Sequence, residues 1–224
     1  MLMNANKRTY DAVIFDCDGV LIDSEPIYNR VFAELLTENG IATTTEECIA
    51  RYMGMDLTHC IKLIEKEFNT TLSPTLLSDY QTRSFKAFET ELASIPDVDS
   101  IIDSLDCPIA VASSSGHEEL RFTLGLVDLY QHFNGCVYSV EDVDRGKPYP
   151  DVYLHAAEQI GVEPGRCAVI EDSVNGANAG IAAGMTVFGF AGLTDAESLS
   201  NTGAQVFEQM NELHSLLISQ MRDR

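Results

Sequence analysis

Two aspartates separated by one residue follow an apolar segment near the start of the chain. Asp16 and Asp18 come directly after residues 12–15, a run typical of a parallel strand that is buried on both faces. Open α/β sheets bind their ligands at the carboxyl ends of such strands. A buried strand that ends in paired carboxylates needs something to bind their charge, and Gly19 permits a tight turn after them. The pattern therefore indicates a divalent cation and phosphate chemistry.

Three later segments also end in polar residues. Residues 109–113 and 167–170 are predicted apolar strands, and residues 136–138 are a shorter candidate that leads into a loop. The polar residues that end or follow these strands are Ser113, Ser114, Lys147, Glu171 and Asp172. If the sheet is parallel, all of these groups lie at one edge, where small residues let backbone amides approach an anion.

In order and spacing, these residues resemble the four motifs of the haloacid dehalogenase-like phosphohydrolases. The matching motifs are Asp16-x-Asp18-Gly19-Val20, Ser113, Lys147-Pro148 and Glu171-Asp172. The resemblance covers nearly the whole chain and is to the branch that contains β-phosphoglucomutases and sugar-phosphate phosphatases, including those for sugar acids such as 6-phosphogluconate. It implies an α/β fold, in which a Rossmann-like parallel sheet core carries an inserted helical cap domain.

The resemblance also implies roles for these residues. Asp16 would attack phosphorus and form an aspartyl-phosphate. Asp18 would protonate the leaving oxygen and then deprotonate the attacking water. Ser113 and the Ser114 amide would hold phosphate oxygens, and Lys147 would offset the clustered carboxylates. The expected enzyme is a phosphoric monoester hydrolase that acts on a small phosphorylated metabolite, such as a sugar or sugar-acid phosphate.

Magnesium is the expected cofactor, because this ion prefers carboxylates, carbonyls and waters as ligands. Asp16, the carbonyl of Asp18 and Asp172 would hold it. Glu171 would contribute either directly or through a water.

The helices that interrupt the α/β alternation lie between the first and second predicted strands. Residues 1–23 and 94–224 are predicted to form the core, and residues 24–93 the helical cap domain, with hinges at 22–26 and 93–96. Ser24 and Asp56 are predicted helix N-caps, and Thr44-Thr-Glu-Glu47 has the pattern of a capping box. We expect the cap to close over the Asp16 edge of the sheet. The residues expected to decide substrate specificity are Tyr28, Arg51, Met53, Met55 and Asp56.

The alternation of strands and helices resumes after this insertion. Asp97 is a predicted cap of a helix that extends to Leu105, and residues 185–190 and 205–207 are predicted as further strands. Helices are also predicted over residues 117–126, 151–160, 174–182 and 211–221.

Composition favours a cytoplasmic enzyme. The 224 residues include 14 Lys and Arg against 35 Asp and Glu, a net charge of −21 that disfavours binding to nucleic acid or anionic membranes. The six cysteines contain no C-x-x-C pair and are predicted to be reduced packing residues. No apolar run is long enough to span a membrane. We expect a monomer or a weak homo-oligomer.

Several alternatives remain open at this level. A β-phosphoglucomutase-like mutase would share the core, but Tyr28 and Leu57 stand where the mutases carry a His and an Arg. A haloacid dehalogenase would need neither magnesium nor Asp18. A non-enzymatic cation-binding or regulatory protein on this fold would lack the nucleophile or the acid, and Asp16 and Asp18 are both present.

Overall fold

The central element of the protein is a six-stranded parallel sheet. The computed structural model describes residues 10–52, 54–55 and 57–219. The strands are β1 (Ala12–Phe15), β2 (Ile109–Ser113), β3 (Val137–Ser139), β4 (Cys167–Glu171), β5 (Thr186–Phe190) and β6 (Gln205–Phe207). Their order in the sheet is β3-β2-β1-β4-β5-β6, and each neighbouring pair is parallel. The prediction of an α/β fold with a parallel sheet is confirmed.

The strand order reverses between β1 and β4. Phe15 is in register with Val111 of β2 on one side and with Ile170 of β4 on the other. The Asp16 amide continues this ladder and donates to the Ile170 carbonyl at 2.9 Å. All four β1 residues are buried, as expected for a strand covered on both faces. Asp16 and the end of β4 therefore lie side by side at the switch point, where such sheets bind ligands.

Within residues 94–219, the structure contains six α-helices. They are α5 (Val98–Ser104), α6 (His117–Leu126), α7 (Asp151–Ile160), α8 (Val174–Ala182), α9 (Ala196–Ser200) and α10 (Leu213–Ser219). Small side chains such as Ala156 of α7 and Ala177 of α8 lie in one buried cluster with Ile14 and Val169 of the sheet. At Gly180, an added Cβ would lie 2.7 Å from Val187 Cγ2, so the backbone of α8 packs directly against the Val187 side chain of β5.

The chain divides into two compact units, residues 10–22 with 94–219 and residues 23–93. The second, which we call the helical unit, contains α1 (Glu25–Glu38), α2 (Thr45–Tyr52), α3 (Leu57–Phe68) and α4 (Leu76–Glu91). It has its own apolar core, which includes Phe32, Leu36, Ile64 and Leu76. Such a core is what an inserted segment needs in order to fold as a separate layer.

The predicted helix starts are only partly correct. The capping box forms, since the Glu47 amide donates to Thr44 Oγ1 at 3.2 Å and the Thr44 amide donates to Glu47 Oε2 at 2.9 Å. Ser24 and Asp97 precede helices, but neither side chain caps its helix. Ser24 has helical backbone angles and Asp97 has φ +68°, whereas a capping side chain needs an extended backbone. Asp56 lies outside the described residues.

The six cysteines are all free thiols, and four of them, Cys17, Cys48, Cys60 and Cys167, are buried. Burial raises the pKa of Cys48 and of Cys167 to about 11, which keeps both thiols protonated at neutral pH. Among the helices within residues 10–52, 54–55 and 57–219, none is long and apolar enough to cross a membrane.

The Ser84 hydroxyl gives a first testable prediction. Ser84 is fully buried in α4, and its hydroxyl has no hydrogen-bond partner among the described residues. Ser84→Ala should raise the free energy of unfolding by about 1 kcal/mol, because it removes an unsatisfied polar group and introduces a better helix former. Urea unfolding followed by circular dichroism measures the change.

Thr123→Val is the matched control. The buried Thr123 hydroxyl donates to the Glu119 carbonyl at 2.9 Å, so its removal at constant shape should destabilise the protein. A loss of stability in Ser84→Ala as large as that in Thr123→Val would contradict the prediction.

Candidate active site

Three buried carboxylates converge at the switch point of the sheet. Asp16 follows β1, Glu171 ends β4 and Asp172 comes next. One oxygen atom from each of these residues lies within 4.8 Å of the others. The register of β1 and β4 therefore brings together two groups that are 155 positions apart in the sequence, Asp16 and Glu171.

Glu171 is held by four hydrogen bonds. Its Oε1 accepts from Lys147 Nζ at 2.7 Å and from the Tyr153 hydroxyl at 2.9 Å. Its Oε2 accepts from the amide and the hydroxyl of Ser173, at 2.8 and 2.9 Å. Burial, with the nearby Glu171 charge, holds the pKa of Tyr153 well above its ordinary value, so this hydroxyl stays a donor. The Glu171 carboxylate thus has little freedom to move.

The start of α8 is shaped around this carboxylate. Ser173 is the N-cap of α8, and its hydroxyl accepts from the Gly176 amide at 3.0 Å. A Cβ at Gly176 would lie 1.5 Å from Glu171 Oε1. Only glycine therefore allows the first turn of α8 to pass over the buried carboxylate.

Lys147 supplies the positive charge of the site. Its buried Nζ donates to Asp16 Oδ1 and to Glu171 Oε1, both at 2.7 Å, and lies 4.9 Å from the centroid of the Tyr153 ring. Burial opposes the charge, but the Asp16 and Glu171 carboxylates outweigh it and hold the pKa of Lys147 well above its ordinary value. The Lys147–Pro148 peptide bond is cis.

One lysine does not neutralise three carboxylates. Burial raises the pKa of Asp16 to about 7, the Lys147 charge opposes this rise, and the charges of Glu171 and Asp18 add to it. A divalent cation would relieve the excess negative charge and keep Asp16 ionised at neutral pH. A set of closely spaced carboxylate oxygens with that excess charge fits magnesium.

Gly19 makes room for Asp172. Gly19 has φ +74°, and a Cβ there would lie 2.1 Å from Asp172 Oδ2. The Gly19 amide donates to the Ile22 carbonyl at 2.9 Å and closes the turn after Asp18. Both the backbone conformation and the close approach therefore require glycine, as the sequence motif indicates.

Asp18 has a different environment from Asp16. It is partly exposed, and its Oδ2 accepts from the Ser115 hydroxyl at 2.9 Å. The Ser113 hydroxyl is buried and accepts from the Ser115 amide at 3.0 Å, while Ser114 is exposed. Because Ser113 Oγ accepts this bond, its own hydrogen is directed elsewhere and can donate to a phosphate oxygen.

The helical unit contains a separate cavity. Its lining includes Tyr28, Tyr52, Tyr80, Glu25, Asn29 and Met55, and no Lys, Arg or His is among its described lining residues. Tyr28 and Met55 belong to the predicted specificity set. Arg51, from the same set, does not line the cavity; it forms an ion pair with Glu67 and lies 5.1 Å from the centroid of the Tyr52 ring. Met53 and Asp56, the remaining members, lie outside the described residues.

Sequence reasoning did not identify the contacts that four further residues make in the site. The sequence shows Ser115 only as part of a run of three serines, and it offers Ser173 only as a candidate cap of the next helix. Gly176 is a glycine inside a predicted helix, a pattern that indicates close packing of the helix against another group but does not identify that group. Tyr153 carries no signal, because a tyrosine on the inner face of a helix is normally a packing residue.

The sequence matches the family described as haloacid dehalogenase-like hydrolase over residues 13–190. The chain belongs to this family. It is 30% identical over 207 residues to the 6-phosphogluconate phosphatase of Escherichia coli K12, with coverage of 92% of this chain and 94% of the relative. The prediction of a phosphoric monoester hydrolase of this family is confirmed.

Two solved structures of the same family are similar to this chain over most of its length. A conserved haloacid dehalogenase-like protein of unknown function from Agrobacterium tumefaciens has 37% identity and a TM-score of 0.88, with coverage of 94% of this chain and 99% of that chain. A hydrolase of the family from Deinococcus radiodurans, solved with bound phosphate and sodium, has 33% identity and a TM-score of 0.82, with coverage of 95% and 97%.

The packing of α8 over Glu171 gives a second prediction. Gly176→Ala should destabilise the protein by several kcal/mol and abolish phosphatase activity, because the new methyl group would displace the Glu171 carboxylate and leave its charge poorly paired. Thermal unfolding and a phosphatase assay measure the two effects.

Gly125→Ala is the control, since an added Cβ at this α6 position meets no atom within 4 Å. It should stabilise the protein by up to ~1 kcal/mol. If both substitutions behaved alike, the close contact between Gly176 and Glu171 would not matter for stability.

Proposed function

We propose that this hydrolase is a magnesium-dependent phosphatase that acts on a small phosphorylated metabolite, a sugar or sugar-acid phosphate, through an aspartyl-phosphate intermediate. The observation that carries the proposal is the convergence of Asp16, Asp172 and the Lys147–Glu171 pair at the switch point of the sheet. The names of the relatives support the class of substrate, since the Escherichia coli relative is a 6-phosphogluconate phosphatase.

In the first half of the reaction, an Asp16 carboxylate oxygen attacks phosphorus and the bond from phosphorus to the ester oxygen breaks. Asp18 gives its proton to the leaving oxygen. Lys147 holds Asp16 Oδ1 at 2.7 Å and so fixes the orientation of the nucleophile. Ser113 and the Ser114 amide hold the phosphate oxygens on which charge develops.

In the second half, Asp18 acts as a base. It takes a proton from a water that attacks the phosphorus of the aspartyl-phosphate, and the bond between phosphorus and the Asp16 oxygen breaks. Inorganic phosphate leaves, and Asp16 is again a carboxylate. Asp18 transfers protons in both halves, and its Oδ2 accepts a hydrogen bond from the Ser115 hydroxyl.

Asp16, the main-chain carbonyl of Asp18 and Asp172 would hold magnesium. Each carboxylate oxygen of Glu171 already accepts two hydrogen bonds from the protein. This favours a contact between Glu171 and the ion through a water molecule. The bound ion would neutralise the charge of phosphate facing the carboxylates. The side chains themselves supply the nucleophile, the acid and the base.

We propose that residues 24–93, within the helical unit, are the cap domain and that the cavity of this unit decides which metabolite is accepted. Phenolic and amide groups such as those of Tyr28, Tyr52 and Asn29 exchange hydrogen bonds with hydroxyl groups. A mutase must bind a second phosphate, and the described lining residues of this cavity offer no cationic side chain for it. These features favour a phosphatase over a mutase.

A cytoplasmic location and a monomeric or weakly associating state remain predictions.

The proposed chemistry predicts a magnesium requirement. Hydrolysis of p-nitrophenyl phosphate should stop on chelation and return with added Mg²⁺, and Asp16→Asn should reduce turnover below detection because the amide is not a nucleophile. Release of p-nitrophenol measures the activity. Mg²⁺ should also raise the unfolding temperature of the wild type, since a ligand of the native state stabilises it.

This temperature shift should become smaller as the pH falls through the Asp16 pKa of about 7, because protons compete with the ion for the carboxylate. Asp172→Asn should reduce the shift while circular dichroism stays unchanged. Full activity after exhaustive chelation would refute the metal assignment.

The cavity of the helical unit gives a prediction about specificity. Met55→Ala should change the ratio of kcat/KM values between two sugar phosphates by about tenfold, the order expected when a side chain that contacts substrate is truncated. Hydrolysis of p-nitrophenyl phosphate should change less than about twofold, because this small ester does not depend on such contacts.

The matched control is Leu63→Ala, which truncates another exposed apolar side chain of the helical unit that does not line the cavity. It should leave the ratio unchanged. Equal effects of Met55→Ala on sugar phosphates and on p-nitrophenyl phosphate would place the specificity site elsewhere.

A further inference from the structure

The side chain of Asp18 is anchored by a serine that the four motifs do not include. The Ser115 hydroxyl lies 2.9 Å from Asp18 Oδ2 and 3.3 Å from Glu119 Oε1. A serine hydroxyl has one hydrogen to donate, and the shorter contact is with Asp18. Ser115 therefore donates to the carboxyl group that the proposed reaction uses as acid and base.

Ser115 is itself fixed on both sides of its backbone. Its amide donates to Ser113 Oγ at 3.0 Å, and its carbonyl accepts from Ser139 Oγ at 2.7 Å. Ser113 and Ser139 are buried at the ends of β2 and β3. Two strands of the sheet thus hold the peptide that carries the Ser115 hydroxyl.

Ser139 is fixed in turn by the segment that follows β3. Its hydroxyl accepts from the Glu141 amide at 3.1 Å, and its amide donates to Asp142 Oδ2 at 2.9 Å. Functional groups are held most accurately when the residues that support them are locked by further hydrogen bonds. The chain Ser139–Ser115–Asp18 has this property.

We propose that Ser115 is a positioning residue for Asp18, and that it orients the carboxyl group for proton transfer to the leaving oxygen. The inference rests on the proposed phosphatase function. The terminal torsion of an aspartate is broad, so loss of this bond would widen the range of orientations of the partly exposed Asp18 carboxyl group. The Ser115 hydrogen bond occupies Oδ2, and Oδ1 then carries the proton that passes to the leaving oxygen as its bond to phosphorus breaks.

The consequence is a dependence on the leaving group. Phenolate is a stronger base than p-nitrophenolate and needs a proton more as it leaves, although the two esters have nearly the same shape. Loss of the Ser115 hydroxyl should therefore slow the hydrolysis of phenyl phosphate more than that of p-nitrophenyl phosphate.

The experiment compares kcat/KM for these two esters with Mg²⁺ present, because this parameter reports the steps up to formation of the aspartyl-phosphate. Ser115→Ala should lower the value for phenyl phosphate by about 10- to 100-fold, part of the ~10²–10⁴ that a general acid supplies. The value for p-nitrophenyl phosphate should fall less than about threefold. Ser115→Thr, which keeps a hydroxyl group, should retain most of the wild-type kcat/KM for phenyl phosphate. Ser104→Ala, which removes an exposed serine hydroxyl of α5, should change neither value.

A double mutant distinguishes positioning from a general structural effect. If Ser115 acts through Asp18, Ser115→Ala should cause no further loss in an Asp18→Asn background. Equal losses for the two esters, additive losses in the double mutant, or no loss in Ser115→Ala would each overturn the inference. A wild type that hydrolyses neither ester would instead refute the proposed function on which the inference rests.

Discussion

The ion pair of Lys147 with Asp16 and Glu171 is the interaction on which the site depends. A buried carboxylate without a partner is unstable, and removal of one member of such a cluster leaves an uncompensated charge. Much of the local structure serves this requirement. Tyr153 and Ser173 complete the hydrogen bonds of Glu171, and Gly176 makes the space for it. The remaining negative charge is what a divalent cation would neutralise in the proposed function.

Asp16 and Asp18, which are separated by one residue in the sequence, have different environments. Asp16 is buried against Lys147, whereas Asp18 is partly exposed and bonded to Ser115. When the environments of two carboxyl groups differ in this way, one can serve as nucleophile while the other transfers protons. Cys17 between them is fully buried, and burial together with the nearby Asp18 and Asp16 charges holds its pKa well above the ordinary value. The Cys17 thiol therefore stays protonated between the two carboxyl groups.

The charge of the whole chain makes the local electrostatics more demanding. With a net charge of −21, the protein repels anionic substrates at long range, and the field weakens over about 8 Å at physiological salt. In the proposed phosphatase, attraction for a phosphate group would therefore come from short-range donors and cations such as Ser113 and Lys147. The cavity of the helical unit has tyrosine and amide groups among its lining residues.

The sequence by itself determined the parallel α/β fold and the family, because apolar strands followed by Asp16, Ser113, Lys147 and Glu171-Asp172 form a local pattern that can be read in order. It also indicated the helical insertion. It did not determine which residues complete the site. Tyr153 and Ser115 acquire their roles through contacts with residues 18 and 97 positions away, and Gly176 acquires its role because the first turn of α8 passes over Glu171. The Ser24 and Asp97 caps were wrong because backbone angles set by tertiary packing overrode residue preference. The residue types that can carry the chemistry are visible in the sequence, but the register of the sheet decides the distances between the strand ends that hold them.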